Sequence, residues 1–290
     1  MWIELFCSKD NRKLKYGVSL CLIFKNEAPF LQEWINYHLI IGVDHFYLYN
    51  NNSTDNYLDI LEKFIDKGVV TLIDFPYEHA QMEAYKHCYQ NFRSESNWIS
   101  FLDADEFVCP RYKETIGDWL HDFSKYPAVN IQWLVFGSGG LLNHDYSKSV
   151  IEQYVVCWDD FYKHGKSFVN TRYDIANFGT SYLHHHTHMN MKIFGFRLVV
   201  PAVNQFGYIC TMDHTWGGGK RKRDNSTIQI NHYQTKAWDV YSEKMNKTDV
   251  FYEKTPKSIE IFNKINLKAI SSDYQIFRFL VKTRLKCQSD

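Results

Sequence analysis

The strongest constraint is an alternation that fills the first 105 residues: short apolar runs, each closed by a polar turn, separated by stretches of helical periodicity. Residues 16–24 form an apolar run too short for a helix, ending at Lys25-Asn26-Glu27, and read as a buried strand. Pro29 opens a helix that runs to about Ile41 and stops at Gly42. Asp44 to Tyr49 reads as a second strand, a helix follows from about Asn56 to Asp66, and Val69 to Asp74 is a third strand. Glu78 to about Phe92 reads as a helix, and Trp98 to Leu102 as a fourth strand that runs into Asp103-Ala104-Asp105-Glu106. Strands alternating with helices imply an α/β fold with a mainly parallel sheet and helices on both faces. Such sheets bind ligands beyond the carboxyl ends of their strands. Polar clusters fall at those ends: Asn26 and Glu27, Asn51 to Asp55, and Asp103 to Glu106. Ser53, Thr54 and Asp55 are also good N-caps for the helix that follows them.

Beyond a helix at Thr115 to Ser124 the pattern changes. Val129 to Phe136 reads as a strand, and residues 141–225, rich in Tyr, His, Asn and Gly, predict a mixed, partly antiparallel region. Thr227 to Asn231 is a last short strand, with helices expected at Thr235 to Met245 and Ser258 to Leu285.

Lys+Arg and Asp+Glu both number 33, so the formal net charge is zero. That excludes the basic excess of an ordinary nucleic-acid binder. The local run Lys220-Arg221-Lys222-Arg223, after three glycines, predicts a basic loop able to close over an anion or to meet an anionic surface. The 7 cysteines contain no C-x-x-C pair, a pattern that points to reduced thiols. No run of about 18 apolar residues occurs, so no transmembrane helix is expected. The expected location is cytoplasmic, with peripheral membrane contact left open.

In an extended run Asp103 and Asp105 point the same way. Two such carboxylates can hold a hard divalent cation, and that cation can neutralise a diphosphate leaving group. The cluster His184-His185-His186-Thr187-His188 does not read as a zinc site. Neighbouring residues of a strand face opposite ways, and no Cys or acid adjoins the cluster.

The run Cys21 to Glu27 followed by Leu31-Gln32-Glu33-Trp34-Ile35-Asn36-Tyr37-His38 resembles GT-A glycosyltransferases of the family 2-like and family 92-like kind. So do the run His45 to Asp55, Asp-Ala-Asp-Glu-Phe at 103–107, and Asn231-His232-Tyr233 before a helix. The resemblance spans roughly residues 18–245 in order. It implies a GT-A fold, a nucleotide-sugar donor (UDP-linked as the first expectation), a glycan or other hydroxyl acceptor, and Mn²⁺ or Mg²⁺ as cofactor. It implies a nucleotide-sugar-binding half at 1–125, an acceptor half of the same domain at 126–245, and a helical extension at 246–290. Asn26, Glu27, Asn51, Ser53, Asp55, Gln81 and Asp103 would bind the nucleotide sugar. Asp103, Asp105 and His232 would hold the metal, imidazole suiting manganese better than magnesium. Trp133, His184 and His186 are expected on the acceptor side. An inverting course, the first expectation, needs a general base, for which Asp213, Asp160 and Glu152 are the candidates. A retaining course needs no such base. Two alternatives stay open: a non-catalytic carbohydrate-binding protein on the same fold, and a sugar nucleotidyltransferase. The second is disfavoured because the turn after the first strand lacks glycine.

Overall fold

The computed structural model describes residues 14–176, 184–185, 188–193, 196–210, 223–245 and 257–289. The chain runs β1 (Tyr16–Phe24), α1 (Ala28–Ile40), β2 (His45–Asn50), α2 (Tyr57–Asp66), β3 (Val70–Asp74), α3 (Gln81–Phe92), β4 (Ser96–Phe101) and β5 (Glu106–Pro110). It continues through α4 (Ile116–His121), β6 (Ala128–Val135), α5 (Val150–Gln153), β7 (Val156–Cys157), β8 (Gly165–Asn170), β9 (Asp174–Ile175), β10 (Met189–Ile193), β11 (Phe196–Val200) and β12 (Val203–Asn204). β13 (Ile228–His232), α6 (Trp238–Met245), α7 (Ile259–Lys268), β14 (Ser271–Ser272) and α8 (Leu280–Ser289) follow.

The main sheet has the order β3-β2-β1-β4-β8-β6-β13-β5, with β12 beside β6. Its first part, β3 to β4, is parallel throughout. β8 enters antiparallel between β4 and β6. β13 lies parallel to β6 and antiparallel to β5. This is the α/β architecture that the alternation predicts.

Both faces of the sheet are covered. Leu20, Leu22 and Phe24 of β1 pack with Trp34, Ile35 and Leu61 of α1 and α2. Cys21 and Ile23 point the other way, onto Ala84, Tyr85 and Cys88 of α3. The alternation is the period of two of a strand. Burial on both faces is why β1 reads as an unbroken apolar run. Each fully buried Leu, Ile or Phe contributes about 1.5–3 kcal/mol of transfer free energy.

α1 also fixes the edge of the sheet that matters for function. The Trp34 indole N–H donates to the Glu106 carbonyl at 2.9 Å, and the Tyr37 hydroxyl donates to the Val108 carbonyl at 2.7 Å. β5, and with it the turn that follows β4, is thereby held to the helix. Gly42 ends α1 with φ +89°. A Cβ there would lie 2.9 Å from the Thr115 Cβ, so the position calls for glycine on both counts.

Four elements differ from the sequence expectation. α3 begins at Gln81 rather than Glu78, because His79 adopts φ +49° and cannot join a right-handed helix. The helix expected over Ser258 to Leu285 is broken. Ala269 leaves helical geometry, Ser271 and Ser272 pair with Val156 and Cys157, and a 3-10 turn at Gln275–Phe279 leads into α8. β5 and β8 are strands that the periodicity does not reveal. Among the described residues no helix is long and apolar enough to cross a membrane.

Candidate active site

A cleft of about 1050 Å³ opens at the carboxyl ends of β1, β2 and β4. Its lining includes Asn26, Glu27, Asp55, Gln81, Asp103, Asp105, Trp133, His184 and His232, all expected from the sequence. Asn51 and Ser53 stand behind that lining. Asn51 Nδ2 donates to the Phe75 and Tyr77 carbonyls at 2.8 and 2.7 Å. Ser53 Oγ accepts the Asn26 backbone N–H at 3.0 Å.

The loops after β1 and β2 are knitted into one surface. Asn26 has φ +56°, a conformation asparagine tolerates, and its Oδ1 accepts the Thr54 N–H at 2.7 Å. Asp55 Oδ2 accepts the N–H of Ala28, the first residue of α1, at 2.8 Å. α2 itself has no side-chain N-cap, so Asp55 caps the first helix rather than the one it precedes. Among the described residues the interlock leaves Glu27 Oε2 and Asp55 Oδ1 buried without hydrogen-bond partners.

The acids after β4 are divided between two cations. Asp103 Oδ1 accepts from Gln81 Nε2 and the Tyr85 hydroxyl, each at 3.2 Å. Its other oxygen lies 2.9 Å from Lys166 Nζ, which is also 3.4 Å from Glu106 Oε2. Burial opposes the charge on Lys166, but the two carboxylates outweigh it and raise its pKa. Burial pushes Glu106 up to about 8, with Lys166 pulling it back. The Asp103 N–H donates to Glu106 Oε2 at 3.0 Å, which closes the turn.

The expectation that Asp103 and Asp105 point the same way along an extended run fails, because residues 104–105 form a turn: Asp105 meets His232 instead of Lys166, with Oδ1 3.5 Å from Nε2. The β5–β13 pairing sets this meeting: His232 stands opposite Glu106 in the ladder, and the Tyr233 N–H donates to the Asp105 carbonyl at 2.8 Å. Burial opposes the charge on Asp105, but the His232 hydrogen bond and positive neighbours hold its pKa well below the usual carboxylate range. Burial likewise opposes the imidazolium, and the Asp105 contact raises His232 above its ordinary value. His232 Nδ1 is buried without a partner.

Among the described residues no group of three or more His, Cys, Asp or Glu is gathered as a metal cage. The expected set of Asp103, Asp105 and His232 is not gathered as one group: both Asp103 oxygens have protein partners, and Asp105 and His232, at one corner, are the two side chains that could offer a metal donors at the cleft. That donor set fits a cation that keeps its remaining positions for water and phosphate oxygens. It does not fit a closed structural zinc site.

Trp133 forms the wall beside this corner, its ring centroid 4.8 Å from that of His232. His184 and His185 continue the wall. Burial, with Lys166 nearby, pushes His185 down to about 4, so its ring is neutral. His186, Asp213 and residues 217–222 of the basic loop lie outside the described residues. Arg223, the last cation of that run, is bound elsewhere, to the Trp158 and Ser272 carbonyls and to Asp273. The remaining base candidates sit away from the cleft. Glu152 pairs with Arg284, and Asp160 is exposed, accepting the Phe161 N–H at 2.8 Å.

Lys166, Glu106, His185 and Lys236 are site features the sequence did not single out. Lys236 is buried, with φ +50° and its ammonium 4.5 Å from the centre of the Phe30 ring. Glu106 and His185 belong to motifs that were noticed. Lys166 sits in Gly165-Lys166-Ser167-Phe168, where only the strand pairing shows which side it faces.

The sequence profile of glycosyltransferase family 92 matches residues 15–275. A glycosyltransferase family 92 protein of Ricinus communis is 28% identical over 249 residues, covering 81% of this chain and 38% of that protein. A galactan beta-1,4-galactosyltransferase of Arabidopsis thaliana is 27% identical over 142 residues, covering 45% of this chain and 28% of that protein. The chain thus spans less than two fifths of the length of these relatives. Among solved structures, S. aureus TarS in complex with UDP is similar with a TM-score of 0.38 and 14% identity, over 53% of this chain and 47% of that one.

Proposed function

The chain belongs to glycosyltransferase family 92, and from that premise we propose that it transfers a sugar from a nucleoside-diphosphate donor to a hydroxyl of a glycan, with Mn²⁺ or Mg²⁺ in the cleft. The observation that carries this reading is the meeting of Asp105 and His232, 3.5 Å apart, in the same cleft as Asn26, Glu27 and Asp55.

The loops after β1 and β2 receive the nucleoside. Glu27 Oε2 and Asp55 Oδ1 are buried acceptors in want of donors, which the hydroxyls and N–H groups of a nucleoside supply. Asp103, its two oxygens already bound by Gln81, Tyr85 and Lys166, orients this floor of the donor site. Asp105 and His232 hold the cation, whose charge stabilises a departing diphosphate. Trp133 and His184 form the acceptor wall. Among the described residues the buried Trp133 indole N–H has no partner, and a sugar hydroxyl would supply the acceptor it lacks.

We retain an inverting course, in which a base takes the proton of the acceptor hydroxyl. With Glu152 and Asp160 placed away from the cleft, Asp213 is the remaining sequence candidate for that base.

UDP-galactose is the first donor to test, because two Arabidopsis relatives bear the name galactan beta-1,4-galactosyltransferase. UDP release is measured for a panel of UDP-sugars, with and without manganese and a galactan acceptor. Manganese-dependent release that rises with acceptor is the expected result. No release or transfer from any nucleotide sugar would overturn the proposal.

A further inference from the structure

Lys236 lies on the turn between β13 and α6 and has no part in the assignments above. Its side chain is only 2% exposed. Its φ of +50° is rare for any residue but Gly, Asn or Asp. Among the described residues its ammonium makes no hydrogen bond or ion pair, and its near contact is the face of Phe30 at 4.5 Å. No described protein group therefore accepts from its three donors.

Burying a charge with unfilled donors is costly, and the left-handed backbone adds strain. Strain of that kind persists where the surroundings over-determine it, characteristically at ligand sites.

The neighbours define the ligand. Phe30, which Lys236 touches, lines the cleft, and so do Val240, Glu243 and Lys244 of α6, the helix that starts two residues beyond Lys236. The opposing charges felt by Lys236 are those of Asp105 and Glu27, one at the cation corner and one at the nucleoside loop. The point between them is where a diphosphate would join nucleoside to metal. Of the other positive groups there, Lys166 is bound to Asp103 and Glu106 and Lys244 to Glu27, while Lys25 and Lys257, also in the lining, have interactions of their own. The first N–H groups around the start of α6 are also engaged, Ala237 with the Tyr154 hydroxyl, Trp238 and Asp239 with the Leu141 and Leu142 carbonyls.

We propose that Lys236 is a phosphate-binding residue, whose ammonium swings from the face of Phe30 to hydrogen-bond an oxygen of the donor diphosphate beside the Asp105–His232 corner. The flexible four-carbon stem of lysine permits the swing. The inference rests on the glycosyltransferase reading and adds to it a second, protein-borne positive charge for the diphosphate.

The test is calorimetry of wild type, Lys236→Met and Lys236→Arg with UDP and with uridine, in manganese. Lys236→Met is expected to weaken UDP by at least about tenfold, the scale of a lost charge-assisted hydrogen bond, and to leave uridine unchanged. Lys236→Arg, which keeps the charge, is expected to retain most of the UDP affinity. If the Met variant does not fold, Lys236→Gly relieves the backbone and serves the same comparison. Undiminished UDP affinity in the neutral variant, or an equal loss for uridine, overturns the proposal. A wild type that binds neither ligand overturns the glycosyltransferase reading as well, which separates the two failures.

Discussion

The Lys166 ammonium lies 2.9 Å from the Asp103 carboxylate and 3.4 Å from that of Glu106, so one buried cation from β8 answers two acids from the turn between β4 and β5. The antiparallel pairing of β8 with β4, Ser100 opposite Phe168, brings it there. Asp105 is left to His232, and the acids of the turn serve different ends.

Lys166→Met leaves Glu106 and Asp103 without their cation. Removing one partner of a buried ion pair destabilises by about 3–5 kcal/mol. Urea unfolding at pH 7 is expected to show a loss near the lower end of that range, because Asp103 is partly exposed. A loss below about 1 kcal/mol would match an exposed pair and contradict the buried role.

Asp105→Ala should leave the fold intact and reduce manganese-dependent transfer to below about a tenth of wild type. A tenfold loss is only ~1.4 kcal/mol of transition-state stabilisation, a small demand on a residue placed at the metal. Circular dichroism and initial rates on the same preparation check both halves.

The Asp105–His232 pair also sets a pH dependence. Without metal, stability from the raised His232 is complete below about 6.5, its ordinary value, and is lost as pH rises through the raised one. The share from the depressed Asp105 is present above about 3.9 and lost only as pH falls through its lowered value. Metal requires the neutral imidazole, so binding competes with that proton. Manganese affinity is therefore expected to weaken as pH falls through the raised His232 value, by up to about tenfold per unit. Titration between pH 6 and 9 measures this. His232→Ala should bind manganese more weakly and with a flatter profile; equal affinity and an equal slope would remove His232 from the metal site.

Gly165→Ala tests the close approach of β8 and β6. A Cβ at 165 would fall 1.9 Å from the Ile131 carbonyl oxygen and 2.6 Å from the Gln132 Cα, both backbone atoms. The strands would have to part, at a cost of about 1–3 kcal/mol or more, and Lys166 would move with them. A lowered melting temperature together with weaker UDP binding is expected; an unchanged melting temperature would contradict the contact.

The parallel half of the sheet was legible because burial on both faces writes β1, β2 and β4 as apolar runs, and Gly42 and Gly68 punctuate the helices between them. β5 was hidden because it begins at Glu106 and ends at Pro110, so its acid read as part of the preceding turn. β8 was hidden because Lys166, Ser167 and Asn170 are buried polar residues whose side chains meet distant partners such as Asp103, Asn130 and Ser124. Local pattern carries no trace of such compensation. The site shows the same division: Asp103 and Asp105 announce themselves at a strand end, whereas Lys166 and Lys236 acquire meaning only from what folds against them.

The intervals along the chain have a consequence for synthesis. Lys166 comes 63 residues after Asp103, and His232 emerges later still. At roughly 5–20 residues per second, the nascent chain carries its acidic turn for several seconds before the first internal counter-charge leaves the ribosome. A product cut short before β8 would display three acids with neither Lys166 nor His232 to meet them, only the neutral donors of Gln81, Tyr85 and the Asp103 N–H, an indiscriminate trap for divalent ions. The arrival of Lys166 and His232 thus marks completion: the Asp105–His232 corner takes its form only once the late strands have docked.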